Sequence, residues 1–167
     1  MIATRPCFHV GVRFALTLAL VATVVAPACR TAPRTEANPG SPSASATIET
    51  GAGAVTFRVE VADTEAEREV GLMGRTALDA DAGMVFLFDG TTTASFWMKD
   101  TLIPLSIAFW GTDGRIVGIL DMEPCEADPC PTFNPGVPYV GALEANLGSF
   151  SDRGVAVGDT VRLEGAP

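Results

Sequence analysis

Ser95-Phe96-Trp97-Met98-Lys99-Asp100-Thr101-Leu102-Ile103-Pro104-Leu105 is an apolar, strand-like segment that ends abruptly on an adjacent cation and anion. Lys99 is the only lysine in 167 residues. Before the charged pair, Phe96–Met98 reads as a short strand; beyond it, Leu105, Ile107 and Phe109 recur at every second position and share one face of another. Upstream, Met84–Phe88 is short and continuously apolar, the pattern of a strand buried on both faces. Farther upstream, Val55, Phe57, Val59 and Val61 alternate with Thr56, Arg58 and Glu60, as in a half-buried strand. Downstream, Asp113-Gly114 is a hairpin turn signal from which Arg115–Leu120 returns. Asp121 to Pro138 is irregular and rich in proline, Tyr139–Ala145 re-enters the sheet, and Gly158-Asp159 turns the chain into a last strand, Thr160–Leu163. Helical signals are few. Thr64-Glu65-Ala66-Glu67 matches a capping box, opening a short helix that loosens at Gly71–Gly74, and Ser149–Arg153 fits a single turn stopped by Gly154. The pattern predicts a mostly β (α+β) fold, a compact β-barrel or sandwich-like single domain with one or two short helices, over residues 54–164.

Several ordered segments resemble one family. They are Glu67-Arg68-Glu69-Val70-Gly71-Leu72-Met73 with Arg75, Gly83-Met84-Val85-Phe86, Phe96-Trp97-Met98-Lys99, Thr101 to Phe109, Leu143-Glu144 and Gly154-Val155-Ala156-Val157-Gly158-Asp159. From about Val55 to Leu163 the chain is similar to DUF192, also called UPF0127. Cys125 and Cys130, flanking Glu126–Pro129, resemble a cysteine-bearing branch of that family. The resemblance implies a compact, mostly β domain, often exported, and no enzyme class. Three departures stand out. The family usually has Asn at the position of Asp100 and Asp at that of Ser106. Before Leu143-Glu144 the cysteine-bearing branch usually has an arginine or an aromatic residue, where this chain has Val140, Gly141 and Ala142.

Residues 1–28 have the layout of an export signal. Arg5 and Arg13 make a basic start without acids, Phe14 to Ala26 is apolar but too short to span a bilayer, and Ala26-Pro27-Ala28 fits a small-residue cleavage site. The next residue is Cys29, the arrangement of bacterial lipoprotein precursors, although Ala26 stands where such sites usually have leucine. Removing the signal deletes Cys7 and leaves Cys29, Cys125 and Cys130. Cys125 and Cys130 are close enough in sequence to pair, so Cys29 is left over, and lipid attachment accounts for it. Plain signal cleavage with a free or dimer-forming thiol is the alternative. Residues 29–53 then read as the lipid-attachment cysteine and a flexible tether rich in Pro, Ser and Ala, in which Ile48 is the only apolar side chain larger than Ala. The expected location is a membrane-anchored lipoprotein of the cell envelope facing the periplasm or exterior, or else a soluble periplasmic or secreted protein.

The formal charge of −9 argues against nucleic acid as a partner and against electrostatic adhesion to anionic lipid. The membrane is then reached through the lipid anchor only. The only histidine, His9, lies inside the signal. Ser-His-Asp and Cys-His nucleophiles are thereby excluded from the remaining chain, as are histidine-ligated metal sites. No metal and no cofactor is expected.

The candidate ligand-binding residues are Lys99, Asp100, Arg75, Glu144, Trp97 and Trp110. Lys99, after Phe96-Trp97-Met98, is either a cation held at an apolar pocket or a solvent-facing residue whose stem covers Trp97 or Trp110. Asp100, its neighbour on a strand, would point to the opposite face. Glu144 lies in an otherwise apolar strand and needs a partner, for which the Arg75 fork is suited. That pair is either structural or a polar patch that recognises a ligand. Trp97 and Trp110 are large aromatics placed to rim a pocket, whereas Met73, Met84, Met98 and the phenylalanines read as core. Cys125 and Cys130 are expected to form a structural disulfide; zinc ligation lacks partners, and a redox pair would need closer spacing.

No residue is singled out as catalytic. The expected role is non-catalytic binding of a small molecule, glycan or envelope partner. The alternatives are a carboxylate-dependent hydrolase or lyase with Lys99 as electrostatic stabiliser, and a purely structural envelope component.

Overall fold

A computed structural model describes residues 44–166. The signal over residues 1–28, the lipid site at Cys29 and the tether as far as residue 43 lie outside the described residues. The strands are β1 (Ala44–Thr50), β2 (Gly53–Ala62), β3 (Ala82–Thr92), β4 (Phe96–Trp97), β5 (Leu105–Trp110), β6 (Ile116–Met122), β7 (Thr132–Phe133), β8 (Tyr139–Asn146) and β9 (Thr160–Glu164). One α-helix, α1 (Glu65–Val70), and one 3-10 turn, Ser151–Arg153, complete the elements. The fold is mostly β, as the alternating patterns predict.

Seven strands form one sheet in the order β6-β5-β8-β3-β2-β1-β9, and β4 pairs with β7 in a two-stranded sheet. Only the β2–β3 pairing is parallel, and α1 lies in the connection that makes it so. The large sheet curls into a half-barrel. Its edge strands approach at one corner, where Arg115 and Thr160 bridge and the Ile116 N–H donates to the Asp159 carbonyl at 2.8 Å. Closing the edges in this way removes exposed strand groups that would otherwise pair with another chain.

The period of two sorts side chains onto two faces. Val85 of β3, Ala108 and Trp110 of β5, and Leu143 and Ala145 of β8 point inward, where Phe57 and Phe150 meet edge-to-face at 5.6 Å. Met84 and Phe86, Leu105, Ile107 and Phe109, and Ala142 point outward. That outer face is itself buried, beneath the loop that follows α1 and the irregular segments carrying β4 and β7. Burying each such large side chain contributes about 1.5–3 kcal/mol before entropy is subtracted.

One expected boundary is corrected. The tether does not run to residue 53, because Ala44–Thr50 is β1, paired with β2 on one side and β9 on the other. Ala46 and Ile48 are fully buried in the inner core. Alanine and threonine suffice there because β1 is flanked by strands that supply the larger side chains, and position decides its burial rather than hydrophobicity. The irregular region also holds β7, and Cys125 and Cys130 in it form a disulfide.

Candidate functional site

α1 forms one wall of a groove on the outer face. Its capping box is present: the Glu67 N–H donates to the Thr64 hydroxyl and the Thr64 N–H to the Glu67 carboxylate. Gly71, at φ 48°, ends the helix, with its N–H donating to the Glu67 carbonyl at 2.8 Å. Arg68 crosses from α1 to β3. Its Nη1 donates to the Leu87 carbonyl at 2.8 Å and to the Asp63 carbonyl, and its guanidinium stands 5.1 Å from the Phe88 ring centroid.

The opposite wall is the segment from Ala94 to Trp97. It has only two strand residues, so its position depends on side chains from elsewhere. The Tyr139 hydroxyl donates to the Ala94 carbonyl at 2.8 Å, and the Asn134 amide donates to the carbonyls of Thr93 and Ala94. Burial pushes the Tyr139 phenol up to about 12, so it remains a donor at neutral pH. Phe96 and Trp97 pair with Phe133 and Thr132 of β7. Beneath them Phe96 packs edge-on against Phe86 at 5.0 Å and Phe109 at 5.6 Å.

Between the walls lies an open groove of about 300 Å³, with Phe86, Phe88 and Phe96 on its floor and Glu65, Arg68, Glu69 and Trp97 along its sides. It adjoins a smaller recess of about 30 Å³, bounded by Gly71–Met73, Phe86, Phe96, Trp97 and Thr101. Glu144 lines that recess and is only 4 % exposed. No described residue is hydrogen-bonded to its carboxyl group. No described side-chain oxygen is sealed off without a partner, so the Glu144 oxygens open onto the recess. Burial pushes this carboxyl up to about 8 from its ordinary 4.5, because a charged carboxylate is poorly solvated there. At neutral pH it is mainly protonated and can both donate and accept a hydrogen bond.

The expected pairing of Arg75 with Glu144 is not formed. Arg75 donates from Nη2 to both carboxylate oxygens of Glu60 on β2, at 2.9 and 2.6 Å. Glu60 lies on β2, the strand that leads into the connection carrying Arg75, and it holds the guanidinium in a half-buried pair. Lys99 and Asp100 are corrected too: they are not on a strand but in an exposed turn closed by the Thr101 N–H on the Met98 carbonyl, at 3.2 Å. Asp100 has φ 54°, a left-handed conformation that Asn and Asp tolerate best. Its carbonyl accepts the Gly74 N–H at 2.8 Å, tying the turn to the loop after α1. The Lys99 ammonium stands 5.6 Å from the Trp97 ring, the solvent-facing arrangement, and does not line the recess.

Trp97 is 46 % exposed and lines both groove and recess, whereas Trp110 is buried in the inner core and borders neither. Of the six candidates, the structure therefore brings Trp97 and Glu144 together. It adds Arg68, Thr101 and Phe96, which the sequence reading did not single out. Arg68 carried a signal, as the one cation of a helix otherwise rich in glutamate. Thr101 carried none, since its role follows from the turn before it. Ser106, where the family usually has Asp, donates to Asp121 across the β5–β6 pair, so a neighbouring strand supplies the acid. Among the described residues no cluster of acidic or cysteine side chains has the makings of a metal site, and no helix is long and apolar enough to cross a membrane.

The family model for DUF192, described as an uncharacterized ACR, matches residues 46–163. Two solved structures are similar. One, of a protein of unknown function from Novosphingobium aromaticivorans, is 37 % identical with a TM-score of 0.64, over 71 % of this chain and 83 % of that one. The other, of a putative transcription regulator from Sinorhizobium meliloti, is 31 % identical with a TM-score of 0.66, over 74 % of this chain and 95 % of that one. No curated protein matches the chain.

Proposed function

The chain belongs to the DUF192 family, and from its geometry we propose that the domain is a binding module that takes a small molecule in the groove between α1 and Ala94–Trp97, without chemical turnover. The carrying observation is Glu144, a buried carboxyl with no partner among the described residues, opening onto a recess at the foot of an aromatic groove. A purely structural domain has no use for such a residue, since burying an unpaired acid costs several kcal/mol relative to an apolar one. Binding rather than catalysis is favoured because Lys99 does not line the recess and no described residue is a histidine. We do not extend the transcription-regulator role of the Sinorhizobium neighbour to this chain, because a net charge of −9 argues against nucleic acid as a partner. The address we propose is the cell envelope, through a cleaved signal and a lipid on Cys29.

Mass spectrometry of small molecules released on denaturing the purified full-length chain tests the binding reading. Wild type is expected to release a near-stoichiometric compound that Trp97→Ala and Glu144→Gln proteins lack. A folded wild-type protein that carries nothing, and whose Trp97 fluorescence no envelope extract changes, overturns it. For the address, partitioning into detergent that survives Cys29→Ser overturns lipid attachment.

A further inference from the structure

We propose that the recess is an amine subsite: it takes the primary ammonium of a small ligand whose apolar or aromatic body lies in the groove against Phe86, Phe88, Phe96 and Trp97, with the Glu144 carboxylate as its counter-ion. This rests on the binding reading and narrows it to a ligand class.

The first support is the missing cation. A buried carboxyl normally has a basic partner, and each candidate here is engaged elsewhere. Arg75 is held by Glu60, Lys99 sits over Trp97 in solvent, and Arg68 directs Nη1 to two backbone carbonyls. The second is size. A recess of about 30 Å³ holds one water-sized group, not a ring. An ammonium fits, and its three donors match the lone pairs of the Glu144 carboxylate; Thr101 also lines the recess, its hydroxyl donating to the Lys99 carbonyl.

The third support is the surrounding charge. The titratable groups facing the recess are Arg68 and Glu69 of α1, with Glu65 one turn earlier beside the groove. Two carboxylates against one guanidinium leave a negative balance even with Glu144 protonated, which repels an anionic end group. The fourth is the aromatic lining, whose ring faces attract cations. Arg68 already shows this, at 5.1 Å from the Phe88 centroid.

The binding step has a proton balance. At pH 7 Glu144 is mainly protonated. Its O–H breaks as the ammonium arrives, the electron pair stays on the carboxylate, and the proton leaves to buffer. Affinity for an amine therefore rises with pH, by about tenfold per unit at most, and levels off above about pH 8. A neutral hydroxyl ligand would bind the protonated acid, release nothing and weaken as pH rises.

Three matched probes test this on the full-length chain: benzylamine, benzyl alcohol and benzoate, titrated calorimetrically at pH 6, 7 and 8 in buffers of different ionisation heat. Benzylamine is expected to bind at least tenfold more tightly than either other probe at pH 8, and to release close to one proton at pH 7. Glu144→Gln should abolish both the preference and the proton release. Equal or tighter binding of benzyl alcohol without proton release overturns the amine subsite but leaves the binding module standing. Failure of all three to bind overturns the amine subsite; joined to the absence of any copurified compound, it overturns the binding module as well. Should Glu144→Gln not fold, the proton count on wild type decides alone.

Discussion

On the inner face of the sheet, the Trp110 indole fills the space beside Gly141 so closely that a Cβ there would lie 2.2 Å from it. On the outer face, three residues along the same strand, Glu144 opens onto unfilled space. The two faces share strands, period and apolar character, and differ in what covers them. The inner face is closed by the sheet curling onto itself, so every side chain meets another held by a ladder of backbone hydrogen bonds. The outer face is covered by the loop after a short helix and by segments with two-residue strands, whose positions rest on a few side-chain bonds such as those from Tyr139 and Asn134 to Ala94. A cover assembled this way leaves gaps, and in the gap the chain places an acid.

The largest expected effect tests the outer face. With its carboxyl held near 8 when folded and 4.5 as its ordinary value, Glu144 favours the folded state most below about pH 4.5. That advantage is lost as pH rises toward 8, because the unfolded chain ionises first. The full window corresponds to about 5 kcal/mol at 1.36 kcal/mol per pH unit. Urea midpoints at pH 5, 7 and 9 should fall steeply for wild type, and Glu144→Gln should remove most of the fall. Parallel curves would mean that the acid has a partner after all, and the contrast between the faces would dissolve.

The inner face is broken more directly. Gly141→Ala forces the indole of Trp110 to move within a closed core, and overpacking there costs about 3 kcal/mol. Urea unfolding at one pH measures it, with near-UV circular dichroism reporting displacement of the tryptophan. A neutral result would show that the inner core is as loosely filled as the outer. Replacing Cys125 and Cys130 by serine should cost less, about 1–3 kcal/mol, since the loop they close is short. The same unfolding assay, with and without reductant on wild type, should give matching losses. Smallest is Lys99→Met. An exposed cation over an aromatic ring contributes about 0.5–1 kcal/mol, so the urea midpoint should barely shift. A loss of several kcal/mol would place Lys99 in the outer cover as a structural member.

The strands carrying alternating or continuous apolar residues were legible because burial on a sheet face imposes a period that survives without any knowledge of partners. β1 was not. Its Ala, Ser and Thr match a tether in composition, and only the flanking β2 and β9 turn Ala46 and Ile48 into core. The capping box at Thr64 was legible because both of its bonds are local. The partner of Arg75 was not, because sequence spacing does not distinguish Glu60 from Glu144. Trp97 and Trp110 look alike in the sequence, each lying near the end of an apolar strand-like run. One reaches solvent and the other the inner core because β4 belongs to the cover and β5 to the half-barrel.

The Cys125–Cys130 bridge stands two residues before β7, and β7 is the strand on which Trp97 and Phe96 lean. The Cys125 N–H also approaches the Met98 carbonyl, at the other end of the same wall. The bridge therefore ties both ends of the wall that carries Trp97. On the binding reading proposed above, a ligand that favoured the oxidised bridge would by thermodynamic reciprocity be favoured by it by the same factor.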